Sequence, residues 1–302
     1  MEVVRTHGLT KSYPNGVTAL AGLDLAVNAR STGLVGANGA GKSTFFRLLL
    51  GLLPPTSGTI EVCGIDVATD PVGVRARIGY MPEHDCLPTD QSAADAVAML
   101  GELSGLPAGT ARRRASEVLD LVQLDEARFR PIGGYSTGMK QRAKLAQALV
   151  AGPQLVLLDE PTAGLDPGGR DEMLALVKRV ADLGVPVIMA THLLDDVAMI
   201  CEHVLVLDGG RLVSDSSVQS LQTMTSSVTV DVGPAGRATL LASLAEAGLT
   251  GTATEEGTVE VTLEDDSALD LLRDIAAQRG LPLFRLSSRR TSLDDVFTRS
   301  DA

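Results

Sequence analysis

Apolar positions at the start of the chain come in short bursts separated by turn residues. Leu34-Val35-Gly36 runs into a glycine-rich loop, and residues 45–53 then read as an apolar helix, so the order is strand, loop, helix. Beyond Pro54-Pro55, residues 58–62 alternate like a half-buried strand, Gly64-Ile65-Asp66 turns, and residues 77–82 predict a strand ended by proline. From about residue 88 to 150 the period changes: Val97, Leu100 and Leu103, then Val118, Leu119 and Val122, then Leu145 and Leu149 fall at helical spacing, which predicts an all-helical insert. Continuous apolar runs return at 155–158, 185–189 and 204–207, with an amphipathic helix around Met173, Leu176, Val177 and Val180. Unbroken apolar strands alternating with helices imply a mostly parallel sheet covered on both faces.

A Ser/Thr-rich stretch, 214–227, separates this α/β core from a tail of different pattern. The tail predicts strand 228–232, helix 238–247, a weak strand 250–254, strand 258–263, helix 268–278 and an extended segment 283–286. That order is β-α-β-β-α-β, the split βαβ arrangement of a small ferredoxin-like α+β domain. The expected division is residues 1–220 for the core and 226–302 for the tail.

Composition narrows the classes. The 302 residues are 44% hydrophobic and 21% charged, with no apolar run long enough to span a bilayer. Twenty-six Lys and Arg against 38 Asp and Glu give −12, which opposes non-specific binding to nucleic acid or anionic lipid. Three scattered cysteines, Cys63, Cys86 and Cys201, and an N-terminus without a cationic start and apolar block predict a reduced cytosolic protein.

Gly36-Ala37-Asn38-Gly39-Ala40-Gly41-Lys42-Ser43 satisfies G-x-x-x-x-G-K-[ST] between an apolar strand and a helix, and Thr44 follows it. Glycines let such a loop curl until its N–H groups converge on phosphate oxygens, and the helix N-terminus adds positive potential. Lys42 is placed to reach β- and γ-phosphates, and the Ser43 hydroxyl to ligate Mg²⁺. A carboxylate pair must complete such a site, and Asp159-Glu160 supplies it at the end of a buried strand. Asp159 is the candidate Mg²⁺ ligand; Glu160, pointed differently, is the candidate general base toward the attacking water. Taken alone, the pair reads equally as an acidic turn after a core strand.

The remaining motifs resemble those of the nucleotide-binding subunit of an ABC transporter. Pro161-Thr162-Ala163-Gly164-Leu165-Asp166-Pro167 is similar to that family's D-loop, and Tyr135-Ser136-Thr137-Gly138-Met139-Lys140-Gln141-Arg142 to its signature motif. His192, 26 residues after Asp166, resembles the switch histidine, and Tyr13, before the first strand pair, the aromatic that stacks on adenine. The resemblance covers about residues 2–220. It implies a P-loop NTPase cassette: a RecA-like core, an antiparallel β subdomain and the helical insert. It also implies that Ser136, Thr137, Gly138 and Met139 act in trans, so that two chains close head to tail around two ATP molecules. Where the family usually carries glutamine, this chain has Glu83, which can approach Mg²⁺ but cannot donate as an amide does. Tyr135, Thr137 and Met139 also depart from the commonest signature. Arg112-Arg113-Arg114 reads as a solvated helix face.

Residues 291–297, Thr-Ser-Leu-Asp-Asp-Val-Phe, resemble the segment that closes ATPase subunits of ABC-2 type exporters; they also read as a helix capped by Ser292 with Asp295 three residues on. The implied function is the ATP-hydrolysing subunit of an exporter, a homodimer on the inner face of the cell membrane, held by a separate integral-membrane permease. A soluble ABC ATPase acting on ribosome or nucleic acid is the alternative. The single cassette, the ordinary insert and the −12 charge count against it. A silent regulatory subunit is opposed by Glu160.

Overall fold

A computed structural model describes residues 2–220, 227–254, 257–262 and 267–289. The chain divides into two compact units, residues 1–216 and 217–302.

The first unit holds two sheets. Strands β1 (Val4–Ser12), β2 (Thr18–Val27), β4 (Ser57–Val62) and β5 (Ile65–Asp66) form an antiparallel sheet in the order β2-β1-β4-β5. The other sheet has six strands in the order β10-β9-β3-β8-β7-β6, from β3 (Ser31–Val35), β6 (Ile78–Met81), β7 (Leu155–Asp159), β8 (Val187–Thr191), β9 (His203–Asp208) and β10 (Arg211–Ser217). Strands β9-β3-β8-β7-β6 run parallel. Every residue of β3, β7 and β8 is buried, which is why these strands read as unbroken apolar runs. Their carboxyl ends therefore open on one edge, where ligands of parallel α/β sheets bind.

Helix α1 (Lys42–Leu49) follows β3, and α2 (Pro71–Arg75) precedes β6. The helical insert comprises α3 (Ala93–Leu103), α4 (Ala108–Leu121), two 3₁₀ turns and α5 (Thr137–Leu149). Helices α6 (Pro167–Asp182) and α7 (Leu194–Ile200) flank β8 in sequence. No helix among the described residues is long and apolar enough to cross a membrane.

Some predicted boundaries move. Helix α1 starts three residues before position 45, because Gly41 at φ 107° turns the chain into the helix, and it stops at Leu49 rather than at 53. Gly51, at φ 63°, donates to the Leu48 carbonyl while Leu52 donates to that of Arg47, a Schellman stop that leaves Leu52 exposed. Strand β8 begins after Pro186, which has no N–H for a ladder flanked on both sides. Part of the Ser/Thr-rich stretch is strand rather than linker: residues 214–217 belong to β10, an edge strand that tolerates polar side chains, and Asp215 pairs with His203 of β9 at 2.5 Å.

In the second unit, β11 (Ser227–Asp231), α8 (Gly233–Glu246), β12 (Gly251–Ala253), β13 (Val259–Thr262), α9 (Ser267–Gln278) and β14 (Arg285–Arg289) follow the expected β-α-β-β-α-β order. The sheet is antiparallel with order β12-β13-β11-β14, the ferredoxin-like arrangement, over its own core that includes Val228, Val230, Leu240, Leu244, Val259 and Leu272. Helix α8 begins five residues earlier than position 238 because Pro234, with φ preset and no N–H to lose, fits the first helical turn. The 291–297 segment lies outside the described residues.

Candidate active site

At the carboxyl edge of the parallel sheet, the loop from Gly36 to Gly41 wraps the start of α1. Its glycines are required by space: a Cβ on Gly36 would lie 2.5 Å from the Leu207 carbonyl oxygen, and one on Gly41 2.5 Å from that of Ala19. Gly39 and Gly41 hold φ at 88° and 107°, which other residues rarely adopt. No side chain caps α1 and no acidic residue occupies its first turn, so the N–H groups there are free to meet an anion. Lys42 folds its ammonium over the loop, donating to the Gly36 carbonyl at 2.5 Å and the Ala37 carbonyl at 3.3 Å, with Glu160 Oε1 at 3.8 Å. Burial pulls the Lys42 pKa below that of an ordinary lysine, opposed by the carboxylates of Glu160, Asp159 and Glu83.

A cavity of about 270 Å³ opens here, lined by Ala37, Asn38, Gly39, Gly41, Lys42, Ser43 and Thr44 on one side and by Glu83, Asp159, Glu160, Ala163 and His192 on the other. Asp159, the last residue of β7, is buried, and that burial raises its pKa while a hydrogen bond with Ser43 lowers it. Its Oδ1 has no hydrogen-bond partner among the described residues. A buried carboxylate oxygen without a donor, beside a serine hydroxyl and a second carboxylate at Glu83, is the set of hard oxygen donors that suits Mg²⁺.

Glu160 is left-handed, at φ 48°, and donates its N–H to the Ala190 carbonyl at 2.9 Å. That conformation swings its side chain away from Asp159 and across to His192, whose Nδ1 is 3.0 and 3.1 Å from the two carboxylate oxygens. Left-handed backbone in a non-glycine residue is strain of the kind that gathers at functional sites. His192 itself is half exposed at the cavity mouth.

Residues 20–163, a span that contains the phosphate loop, the helical insert and Asp159-Glu160, match the ABC transporter family. The Nod factor export ATP-binding protein I of Ralstonia nicotianae is 31% identical over 305 residues, covering 98% of this chain and 93% of that one. The chain belongs to the ABC transporter ATP-binding proteins. The daunorubicin/doxorubicin resistance ATP-binding protein DrrA of Streptomyces peucetius is 38% identical over 220 residues, 72% of this chain and 66% of that protein. Among solved structures, cbiO1 from Clostridium perfringens, part of the ABC transporter complex cbiONQ, superposes with a TM-score of 0.68 at 30% identity, covering 73% of this chain and 90% of that one. The cassette is an ATP-binding, ATP-hydrolysing one.

Several expected site residues of the cassette lie elsewhere. Ser136, Thr137, Gly138 and Met139 open helix α5 and do not line the cavity; the Ser136 hydroxyl accepts from the Met139 N–H at 3.3 Å and so caps the helix. Asp166 caps α6 through the Gly169 N–H at 2.8 Å. Gly36 and Ala40 shape the loop without facing the cavity. Tyr13 follows β1 instead of preceding the strand pair: it starts the β1–β2 connection, where its N–H donates to the Val17 carbonyl at 2.8 Å. Its hydroxyl is 3.3 Å from that of Thr44, a cavity residue, and the Lys11 ammonium is 5.6 Å from its ring centre.

The structure gives supporting parts to residues that the sequence pattern left without a role of their own. Gln141 donates to the carbonyl of Ala163 at 3.1 Å and so supports the cavity wall. Asp196, fully buried on α7, accepts from the Thr162 hydroxyl at 2.6 Å and pairs with Arg170, tying α6 and α7 to the loop beyond Glu160. Lys144 is buried on α5 with its ammonium on the carbonyls around Glu83. The available signal was a charged residue inside an otherwise buried helical stretch: Lys144 among Ala143, Leu145 and Ala146, and Asp196 beside Val197 and Ile200.

Proposed function

We propose that the chain energises export of a substrate through a separate integral-membrane permease, by hydrolysing Mg²⁺-ATP at the cavity between the phosphate loop and Asp159-Glu160. The carrying observation is that Lys42, Ser43, Asp159, Glu160 and His192 meet around one cavity while Ser136–Met139 lie outside it. One chain thus offers the nucleotide a triphosphate cradle and a base, and a second chain is needed to bring a signature helix over it. The loop N–H groups and Lys42 bind the β- and γ-phosphates. Ser43, Asp159 and Glu83 would hold Mg²⁺, which when bound would supply positive charge beside the phosphate oxygens. Glu160 orients the attacking water and takes its proton; His192, bonded to both Glu160 oxygens, fixes that carboxylate and faces the γ-phosphate. Tyr13 stacks on adenine. Asp166, at the start of α6, belongs to the face that meets the partner chain.

Export is supported by the relatives, a Nod factor export protein and a daunorubicin/doxorubicin resistance protein. The reading places the ATPase as a homodimer on the cytoplasmic face of the cell membrane, reached through its permease, with no nucleic-acid partner, and makes residues 226–302 an accessory domain. Glu160→Gln tests the core of it. That variant is expected to lose turnover by roughly 10²–10⁴-fold, the usual worth of a positioned general base, while retaining ATP and holding two chains together on size exclusion. Undiminished hydrolysis removes Glu160 from the role of base.

A further inference from the structure

Helix α5 grips the segment that leaves β6. The Lys144 ammonium donates to the main-chain carbonyls of Pro82 and Glu83, each at 2.7 Å, with the His84 carbonyl at 3.5 Å. One turn earlier Lys140 pairs with Asp85 at 2.9 Å, and three residues later the Gln147 side-chain oxygen accepts from the Cys86 thiol at 3.3 Å. Positions 140, 144 and 147 share one helix face, so the segment 82–86 is fastened at three heights along α5. Lys144 is the one rung that is fully buried, at 2% exposure. The residues flanking it in sequence, Ala143, Leu145 and Ala146, are buried and apolar, so Lys144 is a cation set into a largely apolar stretch of helix. A buried ammonium is tolerated only when its hydrogens find acceptors, and three carbonyls of consecutive residues supply them.

What this segment carries is Glu83. Its carboxylate lines the cavity with Lys42 and Asp159, yet among the described residues no side chain hydrogen-bonds it. The position of Glu83 is set through its backbone, and the backbone is held by Lys144.

We infer that Lys144 is a positioning residue that holds Glu83 on the metal side of the nucleotide cavity and ties it to helix α5, whose first turn is Ser136–Met139. Lys144 touches neither nucleotide nor metal. It makes the signature helix and the Glu83 segment move together, so that engagement of Ser136–Met139 by a nucleotide on a partner chain shifts a Mg²⁺-facing carboxylate in this one. This rests on the nucleotide site proposed above, with Glu83 among its cation ligands.

The test uses the full-length chain, with steady-state ATPase titrated against free Mg²⁺ at saturating ATP and mant-ATP binding measured in EDTA. For Lys144→Met the Mg²⁺ concentration at half-maximal rate is expected to rise at least fivefold and kcat to fall about tenfold, with mant-ATP affinity within twofold. Lys144→Arg, which keeps a charged donor, is expected to recover most of the Mg²⁺ response. Lys140→Ala, on the exposed rung, is expected to shift it about twofold in the same direction and serves if Lys144→Met does not fold. Glu83→Gln is expected to shift the Mg²⁺ response and to add little further in the Lys144→Met background. An unmoved Mg²⁺ response in Lys144→Met, or in Lys140→Ala where the former is unfolded, overturns the role of Lys144 provided that Glu83→Gln does shift it. If Glu83→Gln leaves the response unmoved as well, the placement of Glu83 at the metal is what fails, and the inference falls with it.

Discussion

Two helix starts in this cassette look alike in sequence and differ in what they leave open. Helix α1 begins after Gly39-Ala40-Gly41 with no side-chain cap, so its first N–H groups wait for a ligand from outside. Helix α5 begins at Thr137 with a small residue, Gly138, in its first turn, but there the Ser136 hydroxyl already caps the helix through the Met139 N–H. The first start lies in the cavity with Lys42 and three carboxylates, Glu83, Asp159 and Glu160; the second lies outside it. The N–H groups at the start of α1 have no side-chain acceptor, whereas at α5 Ser136 already accepts from one of them and keeps a hydroxyl hydrogen and the remaining first-turn N–H groups to offer. On the function proposed above, the difference separates binding from turnover: α1 would hold ATP within one chain, and α5 would contribute when a second chain closes.

Lys42→Ala probes the α1 side and has the largest expected effect. It removes the one cation of the cradle, so nucleotide affinity should fall at least tenfold and hydrolysis on the order of 10³-fold, read by mant-ATP titration and phosphate release. Gly138→Asp probes the other side. If the partner chain's nucleotide approaches this helix start as proposed, a carboxylate there should lower turnover by about 10²-fold yet leave mant-ATP binding to the isolated chain within twofold. Equal loss of binding in the two variants would erase the distinction drawn between the helix starts.

Stability gives a subtler contrast. Gly41→Ala puts a Cβ at φ 107° and 2.5 Å from the Ala19 carbonyl oxygen, so thermal unfolding should show a loss of about 2–3 kcal/mol. Gly138→Ala meets only Leu165 Cδ2, at 3.8 Å, in an ordinary helical first turn. It is expected to be neutral or to stabilise by up to about 1 kcal/mol through a less mobile unfolded chain, even where it slows turnover. A destabilised Gly138→Ala would mean that this glycine, too, serves the fold.

Much of the site was legible because its parts are local. The phosphate loop needs its glycines within eight residues of chain, and the Asp159-Glu160 pair needs only the end of a buried strand. Lys144 was not legible, since its partners are backbone carbonyls of Pro82 and Glu83, which carry no residue-type signal 61 and 62 positions away. The hold of Asp196 on Thr162 and Arg170 escaped for a similar reason: buried polar pairing depends on which helices pack together. Edge placement hid β10, whose serines read as linker until His203 and β9 stand beside them.

By itself the sequence determined the buried strands around 155–158 and 204–207, the helical character of the insert, the phosphate loop and the paired carboxylates, because apolar period and turn chemistry are properties of neighbouring residues. Only the tertiary structure decided that Glu160 turns left-handed onto His192, that Lys42 sits within 3.8 Å of it, and that Ser136 caps its own helix away from the cavity. Those outcomes depend on strand order in the sheet, which brings the ends of β3, β7 and β8 side by side although more than 100 residues separate the first two.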